Sequence, residues 1–273
     1  MSERPDNNSI IDVSSGSRDG TYRDFVGPGE KYDIFSAVQF NLLTFLGLRE
    51  HHFLLDIGCG SLRTGRLFIP YLLPGHYFGI EPENWLLTEG ISNETGEDLI
   101  RLRKPSFSND SNFTLSVFDR KFDFILAHSI FSHATQEQIR RCLSEAKKVM
   151  TPESVFAATF VEGEENYTGD KWTLWAKYTF EHMNSLVEEQ GLVCRPFGWP
   201  SVDMQKWILI VTPDCKFNIP SSDSGMELMK LRSELNFCTD RLNKIENHPL
   251  IKIALGAKRF LRLLDFVKYR FRK

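Results

Sequence analysis

The residues of this chain best suited to chemistry cluster in one short stretch, Leu54-Leu55-Asp56-Ile57-Gly58-Cys59-Gly60, with an acid, Glu81, about twenty positions on. Glycines carry no Cβ, so Gly58 and Gly60 permit a tight turn and a close approach of backbone to a ligand. Behind an apolar strand and ahead of a helix, such a turn offers unsatisfied N–H groups to an anionic group. Glu81 follows the apolar run Tyr77 to Ile80, where a carboxylate can accept hydrogen bonds from both hydroxyls of a ribose. Gly58, Gly60 and Glu81 are therefore the expected nucleotide-cofactor residues, with Asp56 and Cys59 in the same stretch. Cys59 reads as a small apolar side chain in the turn, since no activating base is apparent beside it. His128 and His133 follow another apolar run and are the candidate general bases, because an unperturbed imidazole titrates near neutrality.

These residues need a scaffold that brings strand ends together. The apolar spacing predicts a helix over 32–48, a strand over 53–57, a helix over 61–73 and a strand over 77–80. A helix over 85–103, a short strand over 106–109 and a continuous apolar strand over 122–127 follow. Helix 136–150, strand 154–160, helix 180–190 and strand 206–211 extend the alternation. The economical solution is an α/β fold with a doubly wound, mostly parallel sheet, in which ligands lie beyond the carboxyl ends of the strands. Residues 1–20, rich in Ser, Asn, Asp and Gly, read as a solvated leader, 21–213 as the cofactor-binding domain and 214–225 as a linker. Residues 226–273 read as a helical extension.

The glycine turn departs from a dinucleotide fingerprint, which wants a third glycine where this chain has Arg63. Asp56-x-Gly58-x-Gly60, Glu81 and Phe122-Asp123-Phe124-Ile125-Leu126-Ala127 together resemble the motif series of class I S-adenosylmethionine-dependent methyltransferases. The resemblance spans roughly residues 32–212. Gly60-Ser61-Leu62-Arg63, Gly79-Ile80-Glu81-Pro82 and His128-Ser129-Ile130-Phe131-Ser132-His133 look like a bacterial subgroup of small-molecule type within that superfamily. It implies S-adenosyl-L-methionine as cofactor, with the first loop holding its methionine portion and Glu81 its ribose. It also implies an acid beside the adenine. Asp110 suits the family's spacing to the next strand better than Asp119, with Ser111 nearby and Ala127 and His128 at the cofactor floor. The acceptor is unidentified, a small molecule or glycan. A non-catalytic cofactor-binding scaffold and an NAD-dependent oxidoreductase are the alternatives.

Composition narrows the partners. Net charge is −3 with no chain-wide basic surface, so no nucleic acid is expected. The five cysteines are widely spaced without a C-x-x-C pair, and neither a disulfide framework nor a metal site is expected. No apolar signal core or membrane-length span occurs, which points to cytoplasmic residence. The loop carrying Glu162, Glu164, Glu165, Asp170 and Trp172 reads either as acceptor contacts or as a solvated acidic loop. Tyr167, Trp172, Trp175 and Trp199 shape an acceptor pocket or belong to the core. Leu228, Leu231, Leu235, Cys238, Leu242 and Ile245 keep a short heptad pattern, predicting a homo-oligomer through 226–246. Residues 250–273 carry eight Lys or Arg against Asp265 alone, which leaves −10 on the remainder. That segment reads as a basic amphipathic helix, either at a membrane surface or packed on protein.

Overall fold

The computed structural model describes residues 21–220 together with 234, 237–239, 241, 242 and 244. The chain divides into two units, 1–221 and 222–273, at a point inside the expected linker. Of the second unit the seven described residues are helical and exposed, Cys238 and Leu242 among them. The expected leader, the basic helix after Pro249 and the rest of the heptad segment lie outside the described residues. Among those described, no helix is long and apolar enough to cross a membrane.

The first unit is built on one sheet. Its strands are β1 (Leu54–Ile57), β2 (Tyr77–Ile80), β3 (Ser106–Ser108), β4 (Phe124–Ala127), β5 (Val155–Glu162), β6 (Lys177–Tyr178), β7 (Val193–Phe197) and β8 (Gln205–Val211). Their order is β3-β2-β1-β4-β5-β8-β7, with β6 pairing only with β5. Every pair is parallel except β5–β8 and β8–β7, so the sheet is mostly parallel as expected. β1, β2 and β4 are buried at every position, as the unbroken apolar runs require of central parallel strands. The order turns back at β1, whose neighbours are β2 and β4, and this is where the ends of adjacent strands part to leave a crevice.

The helices are α1 (Tyr22–Phe25), α2 (Tyr32–Phe45), α3 (Gly65–Tyr71), α4 (Asn84–Gly90), α5 (Glu97–Arg103), α6 (Gln136–Val149) and α7 (Phe180–Glu188). α6 shows how sequence sets such an element. Thr135 accepts from the N–H of Gln138 at 3.2 Å while Gln138 Oε1 accepts from the N–H of Thr135 at 2.9 Å, a reciprocal cap. Ile139, Cys142, Leu143, Ala146 and Val149 then recur at helical spacing and are buried against the sheet core.

Three expectations change. The helix expected over 61–73 starts only at Gly65, because Leu62 takes a left-handed φ of 57° and residues 61–64 form turns. The single helix expected over 85–103 is α4, a wide π turn at Ile91–Thr95 and α5, parted by Gly96 at φ 78°. β7, unread in the sequence, lies at the sheet edge beyond an antiparallel β8.

Candidate functional site

The ends of β1 and β4 flank a cavity of about 30 Å³ lined by Val26, Gln39, Asp56, Gly58, Cys59, Gly60, Arg63, Thr64 and His128. Five of these were expected from sequence: Asp56, Gly58, Cys59, Gly60 and His128. Gly58 and Gly60 have φ of 69° and 54°, a conformation that a branched side chain adopts only under strain. A Cβ on Gly58 would overlap the end of Ile130, and one on Gly60 would lie 2.9 Å from Val26 Cγ1. The Ile130 and Val26 side chains therefore lie directly over the two glycine backbones.

Glu81, 7% exposed, reaches back from the end of β2 and accepts from the Gly60 N–H through Oε2 at 2.9 Å. Its Oε1 accepts from the Glu83 N–H at 2.9 Å. Each carboxylate oxygen keeps a further lone pair, so two hydroxyls can be added without losing the brace. Burial raises the Glu81 pKa from its ordinary value, opposed by those two amides. Asp56 is more enclosed. Its Oδ2 accepts from the Tyr77 hydroxyl at 2.7 Å, and burial pushes its pKa up to about 6 despite that bond. Burial likewise pushes the Cys59 thiol up, assisted by Asp56 and Glu81, so the thiol stays protonated and fills space.

The two histidines differ in what their rings can do. Arg63 Nη2 lies 3.2 Å from His128 Nδ1, and a guanidinium only donates, so Nδ1 is an acceptor and the proton of the neutral ring sits on Nε2. Burial first, and the guanidinium second, hold His128 well below the ordinary imidazole range. His133 has the opposite arrangement. Its Nδ1 lies 2.8 Å from the carbonyl of Thr173, which only accepts, so Nδ1 carries the proton and Nε2 keeps a lone pair. Burial lowers its pKa too, opposed by the carbonyls of Thr173 and Leu174. The ring of Trp172 stacks on His133 at 5.6 Å and Trp175 lies at 6.4 Å. This sets His133, in the segment between β4 and α6, against the loop after β5 and outside the cavity lining. Trp172, Leu174 and Trp175 are exposed there, whereas Trp199 is buried and donates to the Val38 carbonyl at 3.0 Å.

Ala127 ends β4, fully buried and paired with Ala158. Asp110 follows β3, and its carboxylate accepts from the N–H groups of Asn112 (2.9 Å) and Thr114 (2.7 Å) and from the Thr114 hydroxyl (3.0 Å). It staples its own loop, Ser111 is exposed on that loop, and neither lines the cavity.

Four lining residues went unread: Val26, Gln39, Arg63 and Thr64. Val26 arrives from the segment before α2, held by Glu94 in the π turn. Glu94 accepts from the Tyr22 hydroxyl at 2.7 Å and pairs with Arg23 at 2.6 Å and Arg66 at 3.4 Å. Arg63 had a signal, as a charged residue where a dinucleotide fold requires glycine, and its side chain lines the cavity.

Residues 55–156 match a family model described as a methyltransferase domain, a stretch that includes Asp56, Gly58, Gly60, Glu81 and both histidines. No curated protein matches the sequence. Among solved structures, a magnesium protoporphyrin IX methyltransferase from Synechocystis with bound S-adenosylmethionine superposes with a TM-score of 0.51 at 15% identity, over 70% of this chain and 89% of that one. An S-adenosylmethionine-dependent methyltransferase from Clostridium acetobutylicum gives 0.51 at 12% identity, over 70% and 98%. A glycopeptide N-methyltransferase complexed with sinefungin gives 0.51 at 11% identity, over 65% and 94%. At such identities the likeness establishes a shared fold.

Proposed function

We propose that this chain is a class I S-adenosylmethionine-dependent methyltransferase, its residues 55–156 matching a methyltransferase-domain model, and that it methylates a small-molecule or glycan acceptor delivered beside the cavity between β1 and β4. The observation that carries this reading is the joining of the two cofactor elements, with the Glu81 carboxylate hydrogen-bonded to the Gly60 N–H in the left-handed glycine turn. Bound there, S-adenosylmethionine supplies an electrophilic methyl group on sulfur. The residues present fit it. Asp56, Gly58, Cys59 and Gly60 would hold the methionine portion and Glu81 the ribose hydroxyls, with Ala127 and His128 at the floor, while Asp110 and Ser111, on the loop after β3 and outside the cavity lining, would meet the adenine edge.

The protein's work in such a transfer is alignment and the exclusion of water. Val26 and Ile130 supply apolar cover beside the glycines. His128 presents a donor, since its Nδ1 lone pair is committed to Arg63. His133 presents an Nε2 lone pair and is the better base for a hydroxyl acceptor, with the exposed Trp172 and Trp175 as the acceptor's apolar platform. The dehydrogenase reading loses ground where Arg63 occupies the position that close dinucleotide packing gives to glycine. Calorimetric titration with S-adenosylmethionine, followed by mass analysis of products from cell extract given the isotopically labelled cofactor, tests the proposal. Binding with a labelled product supports it, binding without turnover on any acceptor favours the scaffold, and binding of NAD alone returns the oxidoreductase.

The reading extends to the second unit through its sequence. The heptad positions 228–245 associate copies of the chain, and the basic segment 250–273 meets an anionic membrane face. Flotation with anionic vesicles, comparing the full chain with one ending at Pro213, checks this. Equal behaviour of the two removes the membrane role.

A further inference from the structure

Of the residues lining the cavity, Arg63 alone has a buried side-chain polar atom without a hydrogen-bond partner among the described residues, its Nε. Its other contacts are neutral. Nη1 donates to the Val26 carbonyl at 2.5 Å, Nη2 donates to His128 Nδ1 at 3.2 Å, and the ring of Phe35 lies 4.7 Å from the guanidinium carbon. No Asp or Glu among the described residues forms an ion pair with it. A desolvated cation of this kind is costly unless an anion comes to it, and burial accordingly pulls its pKa down, opposed by Tyr32 and by the charges of Asp203 and Asp56, neither of which forms an ion pair with it.

The same cavity holds a desolvated anion. Asp56 is buried, is bonded to Tyr77 and makes no ion pair with Arg63, although both line the space. One guanidinium and one carboxylate held near each other but unpaired are complementary to a ligand carrying both charges on neighbouring atoms, which is the chemistry of an α-amino acid. A helix N-terminus does not do this work here. α3 begins at Gly65, beyond the turns of residues 61–64, and has only seven residues. The turn instead carries Arg63 to the cavity.

We propose that Arg63 is the carboxylate receptor of this site, holding the α-carboxylate of the cofactor's amino-acid end through Nε–H and its remaining N–H groups while Asp56 faces the α-ammonium. The inference rests on the cofactor assignment above and deepens it. Arg63 thereby makes the site selective for adenosyl ligands that retain the amino-acid moiety. A guanidinium also has five N–H donors in a fixed fork, so two can remain on Val26 and His128 while others take up a carboxylate.

The test compares ligands on the full chain by calorimetry: S-adenosylhomocysteine, decarboxylated S-adenosylmethionine and 5′-methylthioadenosine, the last lacking the amino-acid end. Against wild type, Arg63→Met should weaken S-adenosylhomocysteine roughly ten- to a hundredfold, the cost of a charge-assisted hydrogen bond. Its affinity for 5′-methylthioadenosine should be nearly unchanged, and Arg63→Lys should be intermediate. Wild type itself should bind the decarboxylated cofactor weakly by the same factor, a measurement that holds even if the variants fold poorly. Equal loss of S-adenosylhomocysteine and 5′-methylthioadenosine makes Arg63 a prop for the Val26 segment and overturns the proposal. So does wild-type affinity that ignores the carboxylate, or a variant that binds S-adenosylhomocysteine normally and loses only its acceptor. A wild-type chain that binds no adenosyl ligand overturns the cofactor assignment itself, and this proposal with it.

Discussion

Replacing Asp56 by Asn should make the protein more stable and a poorer binder at the same time. The carboxyl's pKa rises from 3.8 to about 6 on folding, with burial as the first cause and the Tyr77 bond and Arg63 opposing it. Folded Asp56 therefore holds its proton to higher pH than the unfolded chain does, so its contribution favours folding at low pH and is lost as pH rises through about 6. A shift of about two units corresponds to about 3 kcal/mol of destabilisation at pH 7.5, shrinking to about 1 kcal/mol at pH 4.5. Asn carries no charge to desolvate. Burying its N–H₂ group costs roughly 1 kcal/mol, so a net gain of about 2 kcal/mol remains at pH 7.5 and almost none at pH 4.5. For a unit of about 200 residues this corresponds to a rise in Tm of roughly 4–8 °C. Thermal unfolding of both proteins at the two pH values measures it, and calorimetry with S-adenosylhomocysteine should show the accompanying loss of affinity. A Tm difference that is independent of pH, or a variant less stable at pH 7.5, would refute the assignment of Asp56 as an uncompensated buried carboxyl.

Gly58→Val puts a branched side chain at φ 69° and into Ile130, so adenosylmethionine binding should vanish; calorimetry near wild-type affinity would remove Gly58 from the site. Glu81→Ala should weaken S-adenosylmethionine and S-adenosylhomocysteine alike, by roughly ten- to a hundredfold, since both present the same ribose hydroxyls. Unequal losses in a competition assay would place Glu81 elsewhere. Nitrogen NMR of the imidazoles should find His128 neutral with its proton on Nε2 at pH values where an ordinary imidazole is already protonated, and His133 neutral at pH 7 with its proton on Nδ1. A His128 that titrates near neutrality would undo the Arg63 contact on which its tautomer rests.

What could be read from the sequence was what depends on neighbours in the chain. The apolar run into Gly58 and Gly60 and the acid ending the next run specify β1, its turn, β2 and Glu81, because strand burial and turn chemistry are local demands. The Val26 cover was not legible, since its place is set by Tyr22 and Arg23 meeting Glu94 some seventy residues later. The π turn that carries Glu94 broke a helix whose apolar spacing alone reads as continuous. Arg63 was noticed only as a mismatch, and its part in the cavity follows from the left-handed turn at Leu62, which spacing does not encode. Asp110 lies two residues beyond β3, and a spacing rule does not reveal that its carboxylate already serves Asn112 and Thr114.

The outer strands have a consequence for behaviour in concentrated solution. Exposed strand edges are templates on which sheets of different molecules join. At one side of this sheet β3 has only three residues, too few to hold a visiting strand in register. At the other, β7 carries Arg195, whose charge resists burial in a stack, and Pro196, which has no N–H to contribute to a new ladder. The first unit should consequently tolerate crowding and repeated refolding without edge-to-edge association, leaving the central apolar strands to be exposed only when the whole sheet comes apart.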